Sequence, residues 1–191
     1  MTAFANGRFE DVIASEDALR AIVGEPKRWI TSKLKSRLDE NCIRFIARSP
    51  FLVVASASAS GHLDVSPKGD PAGFVRVLDA NTMALPDRPG NRRIDTFRNI
   101  LEDPNVGLIF FVPGEGETLR VGGKAAIVRD RALRESMAAN GRVPELAMVV
   151  AVERAYFHCG KCMLRSGLWE SRDRPDARTP ARSNGFLRMF G

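Results

Sequence analysis

No stretch of the 191 residues approaches the roughly 20 consecutive apolar positions that carry a helix across a bilayer, so no membrane association is expected. Residues 1–13 lack a basic segment followed by an apolar one, and the expectation is a cytoplasmic chain without a secretory signal. Cysteine is scarce. Cys42, Cys159 and Cys162 make an odd count, which argues for reduced thiols rather than a disulfide framework. Histidine is scarcer, with only His62 and His158. Structural zinc needs four ligands; His158-Cys159-Gly160-Lys161-Cys162 offers three with no matching pair elsewhere, so no metal is expected. A Walker-type phosphate loop is missing altogether, which removes a common nucleotide-hydrolase reading. Gly114-Glu115-Gly116-Glu117 is no dinucleotide fingerprint either, because Leu119 stands where the third glycine would be and a strand follows.

The chain also lacks a basic stripe interleaved with aromatics. Its net charge is +6, with an excess of two in residues 1–50, none in residues 51–160 and four in residues 161–191. A nucleic-acid partner is therefore not expected. Arg172, Arg174, Arg178, Arg182 and Arg188 lie among Pro, Ser and Gly, and residues 172–191 read as a basic, mobile tail. The remaining residues 1–171 suit one domain, since a chain of this length buries roughly 70% of its unfolded surface. Within it we expect helices over 1–50, a barrel over 51–155 and a helix over 156–171.

Ser15 caps a predicted helix over residues 16–23, which Gly24 ends and Pro26 stops. Ile30, Leu34, Leu38, Cys42 and Ile46 recur every four residues, predicting a longer helix over 27–48 with Trp29 at its start. Residues 51–56 form a first strand, and 63–65 open a second. In Ser66-Pro67-Lys68-Gly69-Asp70-Pro71 the two prolines predict a break in pairing. Residues 74–78 alternate, Asp79-Ala80-Asn81-Thr82 turns them, and 83–85 return as a hairpin. A short helix then buries Ile94, Phe97 and Leu101. Strands over 106–112 and 119–128 flank the Gly114 turn. Asp130 caps a helix over 131–140, and 147–152 is an apolar last strand.

The chemistry concentrates after the hairpin. Asp87-Arg88-Pro89-Gly90-Asn91-Arg92-Arg93 is a breaker-rich turn carrying three guanidiniums. Arg92 and Arg93 fall at a helix start, beside N–H groups that have no intrahelical partner. Orphan donors, helix dipole and guanidinium forks together favour an anion such as phosphate at one point. Taken alone, an Arg-Arg pair reads more plainly as a solvated turn. Near the end of the chain, Lys161, Arg165 and Trp169 recur every four residues and share a face if helical. Cys159 and Cys162 have the spacing of a thioredoxin-like dithiol.

Three segments in order carry a resemblance. Residues 83–93 end in Asn91-Arg92-Arg93; residues 102–111 contain Asp103-Pro104-Asn105-Val106 and a run to Phe111; residues 118–124 read Thr118-Leu119-Arg120-Val121-Gly122-Gly123-Lys124. Together they resemble the pyridoxamine-phosphate-oxidase-like flavoproteins, and more narrowly a subfamily of probable FMN-dependent enzymes. The resemblance runs from about Phe45 to Trp169. It implies an α+β, mainly β fold: an FMN-binding split β-barrel of about six antiparallel strands with flanking helices. It implies FMN contacts at Ser66, Lys68, Arg88, Asn91, Arg92, Arg93 and Thr118, the last standing where relatives often carry Gln. Asp87 would orient an arginine rather than touch phosphate. Lys161, Arg165 and Trp169 would meet an anionic substrate or wall its pocket.

The implied function is an FMN-dependent oxidoreductase acting on a small molecule, with a nicotinamide or another cofactor as electron partner. No catalytic side chain is assigned, because the flavin carries the chemistry. The resemblance further implies a homodimer with flavin at the subunit interface. Relatives of this fold also accept deazaflavin or haem. Two other classes stay open: a flavin carrier or sensor without turnover, and a thiol-redox protein using Cys159 and Cys162.

Overall fold

Side chains alternate along Phe51–Ala57: Leu52, Val54 and Ser56 are buried while Phe51 and Ala55 face outward, the two-residue period of a half-buried strand. This is β1 of the computed structural model, which describes residues 9, 11–27 and 34–170. The chain divides into two units, residues 1–34 and 35–191. In the first, α1 (Glu16–Val23) forms as its sequence predicts. Ser15 Oγ accepts from Ala18 N at 3.2 Å, and Gly24 closes the helix at φ 73°.

The second unit is built on one antiparallel sheet. Its strands are β1, β2 (Leu63–Gly69), β3 (Arg76–Asp79), β4 (Thr82–Pro86), β5 (Asn105–Phe111), β6 (Thr118–Val128) and β7 (Ala147–His158). They lie in the order β2-β1-β5-β6-β7-β4-β3, so seven strands stand where about six are expected. The end strands β2 and β3 are not paired with each other, which leaves the barrel split. Leu52, Val54, Leu108, Phe110, Leu119, Val121, Met83 and Val150 fill its interior. α2 (Glu40–Arg48) packs on that core through Cys42, Phe45 and Ile46. Ser49, fully buried after α2, places Oγ 2.8 Å from Phe51 O and 2.7 Å from Phe111 O, tying the helix end to β1 and β5.

Four sequence expectations need correction. The long helix over 27–48 begins only at Glu40. Asp39 is its cap, accepting from Cys42 N at 3.0 Å, and Lys35 bridges β7 through Ala155. The Lys35 ammonium bonds the Asp39 carboxylate and, with that cap, holds it well below the ordinary carboxylate range. Trp29 and Ile30 lie outside the described residues, as does the 172–191 tail. Pro67 does not break pairing but sits within β2 opposite Val53. β2 is an edge strand, where a missing N–H costs no ladder bond. α3 (Asp95–Glu102) buries Thr96, Asn99 and Ile100, and of the expected stripe only Phe97 packs on the core; Ile94 and Leu101 are 59% and 79% exposed. Finally, α4 (Arg131–Ser136) ends before the predicted residue 140, because Asn140 and Gly141 adopt φ 51° and 73° in a two-residue hairpin turn between Ala139 and Arg142.

Candidate functional site

β4 ends at Pro86, which is buried, and the chain leaves the sheet as the turn 87–94 before entering α3. α3 packs against β1 and β2 through polar bonds. Thr96 Oγ1 donates to Asp64 Oδ2 at 2.8 Å, and Asn99 Nδ2 donates to Ser56 Oγ at 3.1 Å. Turn, helix start and β2 thereby enclose a cleft of about 1090 Å³, lined by Ser66, Asp87, Asn91, Arg92, Arg93 and Ile94 among others. That volume lies at the upper end for small-molecule and cofactor sites.

The turn is tightly specified. Asn91 Oδ1 accepts from Arg93 N at 3.1 Å, and Arg92 and Ile94 both take the left-handed conformation, at φ 60° and 54°. For a β-branched residue such as Ile94 this backbone is costly. Ile94 occupies the cap position of α3 and offers no side-chain acceptor, so the first-turn N–H groups are uncapped.

The three arginines are not equivalent. Arg88 Nε bonds Asp70 Oδ2 at 2.5 Å, with only 28% and 15% of the two side chains exposed. Arg93 Nε pairs with Asp95 Oδ2 at 2.7 Å. Arg92 has no ion-pair partner among the described residues. Of the residues assigned to the cofactor, Ser66, Asn91, Arg92 and Arg93 share this cleft. Arg88 lines a neighbouring cleft that shares Asp87 and Pro89 with the first. Lys68 lies close enough to Asp87 to act on its charge.

Thr118 is placed elsewhere. It opens β6 opposite His158, at the far end of the strand from Val128, which pairs with Ala147 next to Pro86. Its Oγ1 is buried without a hydrogen-bond partner. Lys161, Arg165 and Trp169 are likewise remote from the cleft. α5 (Lys161–Ser166) carries the first two, but Gly167 ends it in the left-handed conformation, so Trp169 is not on the same helix. Instead Trp169 Nε1 donates to Glu115 O at 2.8 Å, docking this segment on the Gly114 turn. Cys159 and Cys162 are both exposed thiols, whereas burial pushes the Cys42 thiol up.

Asp87 departs from expectation. The carboxylate that orients an arginine here is that of Asp70, while Asp87 stands in the wall of both clefts. Burial raises its pKa and the facing Lys68 pulls it back down, the first effect being larger. A raised folded value means that the native state holds this proton more tightly than the unfolded chain, so wild-type stability from this group is lost as pH rises through the folded pKa. Asp87→Asn should therefore melt higher than wild type at pH 7. The gap should close as pH falls toward the ordinary aspartate value of about 3.9. Thermal melts at the two pH values check this, and a variant no more stable than wild type at pH 7 contradicts it.

A family model for pyridoxamine 5'-phosphate oxidase matches residues 38–159, spanning α2 to the end of β7. The chain belongs to the pyridoxamine 5'-phosphate oxidase family. No curated protein matches it. Among solved structures, it is similar to HupZ of Group A Streptococcus, at 24% identity and a TM-score of 0.50, over 63% of this chain and 93% of that one. It is similar also to a candidate pyridoxamine 5'-phosphate oxidase of Lactobacillus delbrueckii, at 20% identity and a TM-score of 0.50, over 64% and 95% of the two chains. At these identities the likeness is one of fold, the split β-barrel.

Asp70 and Arg142, which line the second cleft, were not singled out by the sequence reading. Asn140-Gly141 was the available signal for the last, since this dipeptide is the strongest short hairpin marker and places its neighbour on a fixed turn.

Proposed function

We propose that the protein binds FMN in the first cleft and acts as an FMN-dependent oxidoreductase on a small molecule. The observation that carries this reading is the junction of Arg92, free of ion pairs among the described residues, with the uncapped start of α3 in a cleft of cofactor size. Arg92 and the first-turn N–H groups would take the phosphate, with Arg93 adding a second guanidinium. Asn91 holds the turn, and Ser66 faces it from β2. Lys68 and Arg88 would contribute positive field from just outside. Bound FMN would supply hydride or electron transfer, with a nicotinamide as donor.

A homodimer belongs to the same reading. The outer face of β1 and β2 exposes apolar side chains, Leu63 by 81%, Val65 by 64% and Phe51 by 40%. An exposed apolar patch of this kind marks an interaction surface. Val65 lines both the first cleft and a shallow depression of about 360 Å³ on that outer face. A second copy seated there would border the flavin. We assign Lys161, Arg165 and Trp169 to the partner's flavin site within this dimer.

The test is the absorbance spectrum of the purified protein, followed by mass spectrometry of whatever heat releases. A two-banded flavin spectrum with equimolar FMN is expected, bleached anaerobically by reduced nicotinamide. A protein that is colourless and stays so with added FMN overturns the proposal. Flavin that no nicotinamide donor reduces would favour a carrier.

A further inference from the structure

Residues 87–89 separate the first cleft from a second of about 940 Å³, lined by Asp70, Arg88, Arg142, Val143 and Pro144 among others. Asp87 and Pro89 belong to both walls, so contents of the two clefts stand side by side. The second cleft is built differently from the first. Its cations come from two separate segments, and each is held in its own way.

Arg88 is fixed by its Nε bond to Asp70, which leaves its terminal nitrogens without a partner among the described residues. Arg142 stands on the hairpin turn. Ala139 and Arg142 exchange both backbone hydrogen bonds, at 3.0 and 2.9 Å, around Asn140 and Gly141 in the left-handed region. This is the geometry of a two-residue type I′ turn, which fixes where Arg142 leaves the backbone. The Arg142 guanidinium has no ion-pair partner among the described residues.

The acids do not cancel this charge. Asp70 is matched by Arg88. Glu145 is matched by Arg129 at 3.4 Å and Arg134 at 3.9 Å. Asp87 lies within the field of Lys68, whose charge offsets its own. What remains is the unmatched charge of Arg142 and the free terminal N–H donors of Arg88, beside the apolar surfaces of Val143 and buried Pro144. A guanidinium next to apolar surface suits a carboxylate on an apolar body, because the fork takes both oxygens while the remainder leaves water.

We propose that this second cleft binds a small organic carboxylate with an apolar body, and that this molecule is the substrate brought alongside the flavin. The binding itself stands on the second cleft alone; its role as substrate rests on the FMN reading of the first.

The experiment uses benzoate as probe, followed by ligand-observed NMR on the full chain as purified. Wild type should bind benzoate, and Arg142→Ala should weaken binding about tenfold or more while its FMN content is unchanged. Arg142→Lys keeps the charge without the fork and should recover part of the affinity, which separates a lost contact from a damaged turn. Arg92→Ala should leave benzoate binding intact. In the flavin-loaded protein, benzoate should shift the flavin absorbance in wild type and fail to do so in Arg142→Ala at the same concentration. Equal binding by wild type and Arg142→Ala overturns the proposal, as does binding lost in Arg92→Ala but kept in Arg142→Ala. Benzoate binding that follows Arg142 in a protein holding no flavin upholds the anion site and overturns its assignment to a flavin substrate.

Discussion

Arg92→Ala should lose FMN. Hydrogen bonds to a charged group contribute about 1.5–3 kcal/mol, so FMN affinity is expected to fall roughly tenfold to a hundredfold. Arg93→Ala should cost less, because Arg93 is already engaged with Asp95 at 2.7 Å and any bond to phosphate competes with that pair. The order of the two effects is the informative result. Arg92 has the helix start beside it and no acid to satisfy among the described residues, whereas Arg93 has to leave or share its partner. Titration of the apoprotein with FMN, read by flavin fluorescence, gives both affinities. Fold must be checked alongside by thermal melting, since neither side chain belongs to the core and neither change should lower the melting temperature by more than a few degrees. Stoichiometric flavin retained in Arg92→Ala would remove the phosphate from this turn. A larger loss in Arg93→Ala than in Arg92→Ala would mean that Asp95 releases Arg93 when the cofactor binds.

Local features of the fold were legible because they rest on neighbours in the chain. The β3–β4 hairpin follows from alternation on either side of Asp79-Ala80-Asn81-Thr82, and Ser15, Asp130 and Gly24 mark helix ends that the structure reproduces. Strand order was not legible from pattern alone. β1 also pairs with β5, and β7 with β4, and no turn signal announces either pairing. α3 shows a second limit. Counting apolar residues put Ile94, Phe97 and Leu101 inward; only Phe97 packs on the core, and Thr96 and Asn99 take buried positions because Asp64 and Ser56 supply partners across the gap. A polar side chain with a partner is a good core residue, and periodicity of apolar residues cannot see the partner.

The site divides in the same way. The phosphate turn was readable, since three arginines, a glycine and a following helix are sequence neighbours. How the charges partition was not. Asp70 neutralises Arg88 across 18 positions, and the choice between Arg92 and Arg93 turns on which of them Asp95 reaches. Arg142 joins Arg88 only because β4 and β7 pair, Pro86 opposite Ala147, bringing the segments before β7 and after β4 together. Thr118 shows the same limit from the other side. Its place in a family-like strand implies a flavin contact, while the strand's length carries it to the opposite end from the turn of its own chain, a separation that no local pattern reveals.

Gly123→Ala should be among the most damaging single substitutions in the chain, and Gly122→Ala beside it should be far milder. The register of β6 against β7 shifts between these two glycines: Gly122 pairs with Arg154 and Gly123 with Val152, so Glu153 is the extra residue of a bulge. A Cβ on Gly123 would overlap the Ala151 carbonyl oxygen, 3.0 Å from its carbon and 3.2 Å from Glu153 N. All three atoms are backbone, held in the ladder that also carries β4, and none can swing aside. A Cβ on Gly122 meets only the Arg154 side chain, which can rotate away. Overpacking against fixed atoms costs about 3 kcal/mol or more, which for a domain of this size lowers the melting temperature by roughly 6–12 °C. Because β7 pairs with β4, loss of the bulge should also displace Pro86 and the turn behind it, so Gly123→Ala should hold FMN poorly even where it folds. Thermal melts and flavin content of the two variants decide the matter. A Gly123→Ala protein within about 0.5 kcal/mol of wild type would show that β6 and β7 are not paired in this register, and with them the placement of the turn on the sheet would fall.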